Sequence, residues 1–141
     1  MSTRGTVAVL LPNGRVRSVY VHFDSYLAGV GKTLLMHWNS FELAEKLTSL
    51  GSISILGERL EPIGEHSFKN PEIGTCVIYG RDRGDKKYTK PFTYSSIEMY
   101  RYEGNFQEYN YIFAEGEWMV SLPNESKIYW QTLKEFFDKE I

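Results

Sequence analysis

Gly29-Val30-Gly31-Lys32-Thr33 ends like a phosphate-binding loop. The full motif needs Gly, four residues and then Gly-Lys-Thr, so that backbone N–H groups curl around a phosphate. Its first glycine belongs at position 26, where Tyr26 stands. A tyrosine at that turn obstructs the curl. The apolar run Thr75 to Tyr79, followed by Asp82, is also a poor match to the second nucleotide motif. The plain alternative is a helix start preceded by flexible glycines. A helix start with Lys32 still attracts an anion.

His22-Phe23-Asp24, with His37 further on, is a second constellation. Two histidines and a carboxylate can hold a metal or move protons near neutral pH. Alternation along a strand puts His22 and Asp24 on one face. No third ligand stands at metal-site spacing, so no metal or other cofactor is assigned, and the plainer reading is a strand-end histidine hydrogen-bonded by Asp24. Arg81-Asp82-Arg83 is the third. Alternate arginines grip a phosphate or carboxylate bidentately, whereas Asp82 between them equally makes a solvated, self-neutralised turn. Cys76 is the one cysteine. It sits in an apolar run with no histidine beside it, which reads as a small buried hydrophobe and not a nucleophile. Tyr94, Tyr100, Tyr102, Phe106, Tyr109 and Tyr111 make either a docking patch or an aromatic core.

The elements that must position these residues follow from patterning. Residues 6–11 and 15–23 read as a hairpin about Pro12-Asn13-Gly14-Arg15. A helix in two pieces follows: one from Lys32 to Trp38, and one capped by Asn39 or Ser40 with Leu43 and Leu47 inward. Ile53 and Ile55 suggest a short edge strand, and Thr75–Tyr79 a central one. Between them, residues 57–74 form a polar loop of the length that is functional or mobile. Tyr94 to Tyr102 reads as a helix, 109–122 as a second hairpin, and Ile128 to Phe137 as a terminal helix. The core expectation is that Leu43, Leu47, Val77 and Trp118 are buried. The order predicts a single α+β domain over 1–141, with a mostly antiparallel sheet from two hairpins plus a central strand and helices on one side.

Composition bounds the partners. The chain has 141 residues, a net charge of -2 and charges of both signs intermixed. Such a surface has no field to draw in a polyanion, which argues against a dedicated nucleic-acid binder. No apolar run reaches the roughly 18 residues of a membrane span. The thiol-poor sequence and the N-terminal Met1-Ser2-Thr3-Arg4, which has no signal core, predict a cytoplasmic protein.

Four stretches carry a resemblance: Ser18 to Tyr26, Gly29-Val30-Gly31-Lys32-Thr33-Leu34-Leu35, Gly51 to Glu58, and Tyr79-Gly80-Arg81-Asp82-Arg83-Gly84. Together with the Tyr109 to Val120 pattern, they resemble a family of small accessory proteins from tailed bacteriophages. In that family an aromatic-Asp-Gly-Tyr-Pro stretch precedes the Gly-Val-Gly-Lys-Thr-Leu run, and here Ser25 and Leu27 replace the Gly and the Pro. The resemblance implies a non-structural phage protein in the host bacterial cytoplasm that binds and inhibits or redirects a host or anti-phage defence protein. The alternative is a small phosphoester- or nucleotide-acting or nucleotide-sequestering protein, in which Lys32, Arg81 and Arg83 hold phosphate and His22 and Asp24 move protons. No catalytic residue is assigned. For either reading the expected site joins His22, Asp24, Tyr26 and Lys32 to Arg81, Asp82 and Arg83, provided that the strands feeding the two loops run the same way.

Overall fold

The computed structural model describes residues 3–85, 90–103, 107–121 and 130–138, with the side chains of 101–103 and 138 left aside. Strands β1 (Gly5–Leu10) and β2 (Val16–Val21) pair antiparallel, with Thr6 opposite Tyr20. Their turn uses Gly14 at φ 85 and the Asn13 side chain, whose Oδ1 accepts the Arg15 N–H at 3.0 Å. A wide, π-type helical turn, Leu27–Gly31, runs into α1 (Lys32–His37). Helix α2 (Phe41–Leu47) is capped by Ser40, whose Oγ accepts the Leu43 N–H at 3.2 Å. Then come β3 (Ile53–Ile55), the irregular 57–74 loop, β4 (Val77–Ile78) and a second wide turn, Tyr79–Arg83. Strand β5 (Phe92–Tyr94), α3 (Ile97–Glu103), β6 (Tyr109–Ala114), β7 (Glu117–Ser121), β8 (Gln131–Thr132) and α4 (Leu133–Asp138) complete the described chain.

The eight strands form one mixed sheet in the order β4-β3-β2-β1-β6-β7-β8, with β5 also against β2. The β1–β6 and β2–β3 pairs are parallel and the others antiparallel. Strands β6 and β7 meet at Glu115-Gly116, where both residues have positive φ, 53 and 84. Such a turn matches the strand twist.

Both faces of the sheet are covered, which corrects the expectation of helices on one side. Val7, Val9, Tyr111 and Phe113 face α1, α2 and α4 through Leu34, Ala44, Leu47 and Leu133. Ala8, Val16 and Ile112 face α3 through Tyr100 and Ile97. Alternation along the strands alone requires a cover on each side.

Two strand positions are also corrected. Val77–Ile78 is the edge of the sheet and β3 is interior, the reverse of the sequence reading. The apolar run at 75–78 is buried because the 57–74 loop folds over it, with a parallel bridge between Arg59 and Thr75. Tyr94, expected to open a helix, instead ends the strand Phe92–Tyr94, and the helix starts only after Ser96, whose Oγ accepts the Met99 N–H. Leu47, Val77 and Trp118 are buried, whereas Leu43 is 39% exposed. At about 100° per residue, the inward stripe Phe41-Ala44-Leu47-Thr48 leaves Leu43 on its flank. Phe106, Leu122, Pro123, Asn124 and Ile128 lie outside the described residues.

Candidate functional site

The glycine-rich turn is built for packing. A Cβ on Gly29 would lie 2.2 Å from the Asp24 carbonyl oxygen, and one on Gly31 would lie 3.2 Å from the Tyr111 hydroxyl. The amides that a phosphate would need are spent internally. The Gly29 N–H donates to the Tyr26 carbonyl at 3.0 Å and the Val30 N–H to the Asp24 carbonyl at 2.8 Å. The Thr33 hydroxyl donates to the Gly29 carbonyl at 3.0 Å. Asp24 takes the left-handed conformation at φ 59, which Asp tolerates. Tyr111 holds the turn from below, its hydroxyl donating to the Ser25 carbonyl at 2.6 Å. Burial pushes the Tyr111 pKa up. Tyr26 and Lys32 are exposed.

Arg81 and Asp82 seal the edge of the sheet. The Asp82 carboxylate accepts the outward N–H of Ile78 at 2.7 Å and faces His66 Nε2 at 3.1 Å. Arg81 donates to Asp82 at 2.8 Å, to the Leu60 carbonyl at 2.6 Å and to the Cys76 carbonyl at 2.9 Å. Burial acts to raise the Asp82 pKa, but hydrogen bonds from Arg81, the Ile78 N–H and His66 outweigh it and hold it below the usual range. The hydrogen bond to Asp82 raises that of Arg81. An edge capped in this way offers little to an added strand.

The same pair anchors the 57–74 loop, which carries its own brace. Glu72 accepts the N–H groups of Ile63 and Gly64 at 2.9 and 2.7 Å and the Thr75 hydroxyl at 2.5 Å. His66 Nδ1 accepts the Glu72 N–H at 3.0 Å, and Arg59 donates to the Ile73 carbonyl at 2.8 Å. On this fixed frame Ile63 is 80% and Ile73 94% exposed.

A cleft of about 240 Å³ opens between Tyr20, His22, Ser52, Tyr79 and Arg83. Strands β2 and β4 run oppositely with β3 between them, yet their ends adjoin. Strand β3 begins where β2 stops, with Val21 opposite Ile53 and Ile53 opposite Ile78. Hydrogen bonds from His22 N–H to the Ile53 carbonyl (3.0 Å) and from Tyr79 N–H to the Ser52 carbonyl (3.2 Å) lock this corner. Short strands thus defeat the expectation that antiparallel strands put their ends apart.

Within the cleft the Tyr20 hydroxyl lies 2.6 Å from His22 Nδ1. This replaces the expected His22–Asp24 bond. The strand ends at Val21 and Asp24 turns away, so the alternation partner of His22 is Tyr20. Burial lowers the His22 pKa, and the positive charge of Arg4 lowers it further. Burial raises that of Tyr20, Arg4 opposes this and Tyr79 adds to it. The Arg83 guanidinium lies 5.3 Å from the Phe68 ring centre and 5.9 Å from that of Tyr79, and pairs with Asp85 at 3.2 Å.

Of the expected site residues, the cleft therefore joins His22 and Arg83. Asp24, Tyr26, Lys32, Arg81 and Asp82 do not line it. Sequence reasoning missed Tyr20, Ser52 and Tyr79, of which Tyr20 was within reach from its two-residue spacing to His22. His37 stands elsewhere, 3.7 Å from Glu58. Among the described residues no three His, Cys, Asp or Glu side chains gather as a metal site. Burial pushes the Cys76 thiol up to about 11, and Cys76 packs on the Gly57 backbone. Tyr100 and Tyr111 are core residues, and Tyr94 and Tyr109 pack against it. No described helix is long and apolar enough to cross a membrane. Comparison with protein-family models, curated proteins and solved structures gives no match.

Proposed function

We propose that this chain is a non-enzymatic binding protein, a phage accessory factor that acts in the host bacterial cytoplasm by docking on a host or defence protein. The observation that carries the reading is the braced loop: Ile63 and Ile73, both highly exposed, stand on a frame fixed by Glu72, His66 and Arg59. The Glu72 carboxylate, next in sequence to Ile73, holds the backbone of Ile63, so the two isoleucines share one end of the loop. A loop held in one shape loses little entropy on binding. Exposed Glu61 and Glu65 flank Ile63 in sequence. The fitting partner is a folded protein with an aliphatic pocket rimmed by Lys and Arg. Because Asp82 and Arg81 close the sheet edge, docking runs through side chains and not through strand addition.

The phosphoester-acting alternative loses two of its three cations: Arg81 is committed to the edge, and Lys32 stands outside the cleft. The test is to recover the tagged protein from infected cells, identify the bound protein and rebuild the pair from purified components. Ile63→Asp with Ile73→Asp should weaken that pair at least about thirtyfold, the size of a hot-spot loss, with the melting temperature unchanged. A pair that forms equally well with the double variant, or recovery of no protein above a tag-only control, overturns the reading.

A further inference from the structure

The cleft at the β2–β4 corner includes neither of the loop's exposed isoleucines and is chemically unlike the face they form. It is lined by two tyrosines, Tyr20 and Tyr79, and by three residues able to donate hydrogen bonds, Ser52, Arg83 and His22. The Tyr20 hydroxyl occupies His22 Nδ1 at 2.6 Å, and Nε2 has no partner among the described residues. With Tyr20 donating to Nδ1, Nε2 carries the proton and donates. Arg83 gives Nε to Asp85 at 3.2 Å, and among the described residues the fork of its two terminal nitrogens is left for an anion. A phosphate presents three terminal oxygens to the Arg83 fork, the His22 N–H and the Ser52 hydroxyl, where a carboxylate presents two. Flat aromatic walls favour a ligand with a ring of its own.

We propose that the cleft between Tyr20, His22, Ser52, Tyr79 and Arg83 binds a nucleoside monophosphate, its base against the tyrosines and its phosphate on Arg83 and His22. The second wide turn supplies both halves, Tyr79 at its start and Arg83 at its end, while Asp82 within it pins the turn to the frame. The site does not depend on the protein-docking reading. It needs neither Ile63 nor Ile73.

The test is calorimetry and ligand-observed NMR with AMP, GMP, CMP and UMP, alongside inorganic phosphate and the four nucleosides as separate arms. At least one monophosphate should bind saturably, and both its nucleoside and phosphate should bind at least about tenfold more weakly, because each keeps half of the contacts. Arg83→Ala should weaken the nucleotide about tenfold or more and Arg83→Lys partly restore it, since Lys keeps the charge and loses the fork. Ser52→Ala should weaken it less. The Ile63→Asp, Ile73→Asp variant should bind it like wild type, which separates this site from the docking surface. Absence of binding by all four monophosphates at about 5 mM, well into the weak range, overturns the proposal. So does inorganic phosphate binding as tightly as the nucleotide, or an Arg83→Ala protein that binds unchanged.

Discussion

The Asp82 carboxylate lies 3.1 Å from Nε2 of His66, with the side chains 7% and 2% exposed, and this contact joins the Arg81–Leu60 hydrogen bond in tying the 57–74 loop to the turn that follows β4. Because Asp82 also takes the Ile78 N–H and the Arg81 guanidinium, the sheet edge, the loop and the cleft corner share one ion. The proposed docking loop and the proposed ligand cleft are thus tied to the same residue.

Removing that ion should therefore cost stability. Asp82→Ala orphans the Ile78 N–H and the Arg81 Nε, while the two terminal nitrogens of Arg81 keep the Leu60 and Cys76 carbonyls. The expected loss is about 1.5–3 kcal/mol, the range for hydrogen bonds to a charged group. Arg81→Glu should lower the melting temperature as well, because Arg81 also serves the Leu60 and Cys76 carbonyls. Urea unfolding of both variants checks it, and wild-type midpoints would remove the clamp from the account.

Helix α2 offers a contrast within one turn. Leu47 is fully buried and Leu43 is 39% exposed. Leu47→Ala should cost about 2–5 kcal/mol as a core truncation, and Leu43→Ala less than about 1 kcal/mol. Equal losses in denaturant titrations would mean that the helix is rotated from the orientation described.

What the sequence discloses and what it hides divide along physical lines. The first turn was legible because Asn13-Gly14 is itself the cause of that turn, and the Ser40 cap because a cap is local. The place of β4 was not. Thr75 to Ile78 is apolar enough for a central strand, and only the distant loop that covers it makes an edge position dry. Arg81-Asp82-Arg83 shows the same limit. Three charges in a row read alike, yet register sends Arg81 to the edge carbonyls and Arg83 to the cleft. The partners that decide this, Leu60 and Tyr79 among them, are not visible from local composition.

The glycine-rich turn gives a sharp substitution pair. Gly29→Ala places a methyl 2.2 Å from the Asp24 carbonyl oxygen, which is backbone and cannot step aside. The turn must open, at about 1–3 kcal/mol by comparison with other overpacked sites. Lys32→Ala, at an exposed position, should stay within about 0.5 kcal/mol. A phosphate-binding loop would give the opposite weighting in a nucleotide titration, with Lys32→Ala abolishing binding. In this protein Lys32→Ala should leave nucleotide affinity unchanged.

Acid should release the braced loop before it unfolds the sheet. The Thr75 hydroxyl and the N–H groups of Ile63 and Gly64 hold the Glu72 carboxyl down at about 2, with Arg59 assisting and desolvation opposing. A carboxyl whose folded pKa is depressed contributes stability that is fully present above its unfolded value, near 4.5, and is lost as pH falls through the folded value. Asp82 is shifted in the same direction, so its contribution weakens in the same sense. Protonated Glu72 can no longer serve three donors as an anion, and Ile63 and Gly64 lose their anchor first. The amide shifts of these two residues should therefore move with a midpoint near 2, while those of β1 and β6 hold. Glu72→Gln keeps an acceptor oxygen and removes the charge, so its loop should be looser at neutral pH and flat across the acid range. Ile63 and Gly64 shifts that titrate near 4.5 in the wild type would mean that the carboxylate does not hold the loop, and the rigid display of Ile63 and Ile73 would fall with it.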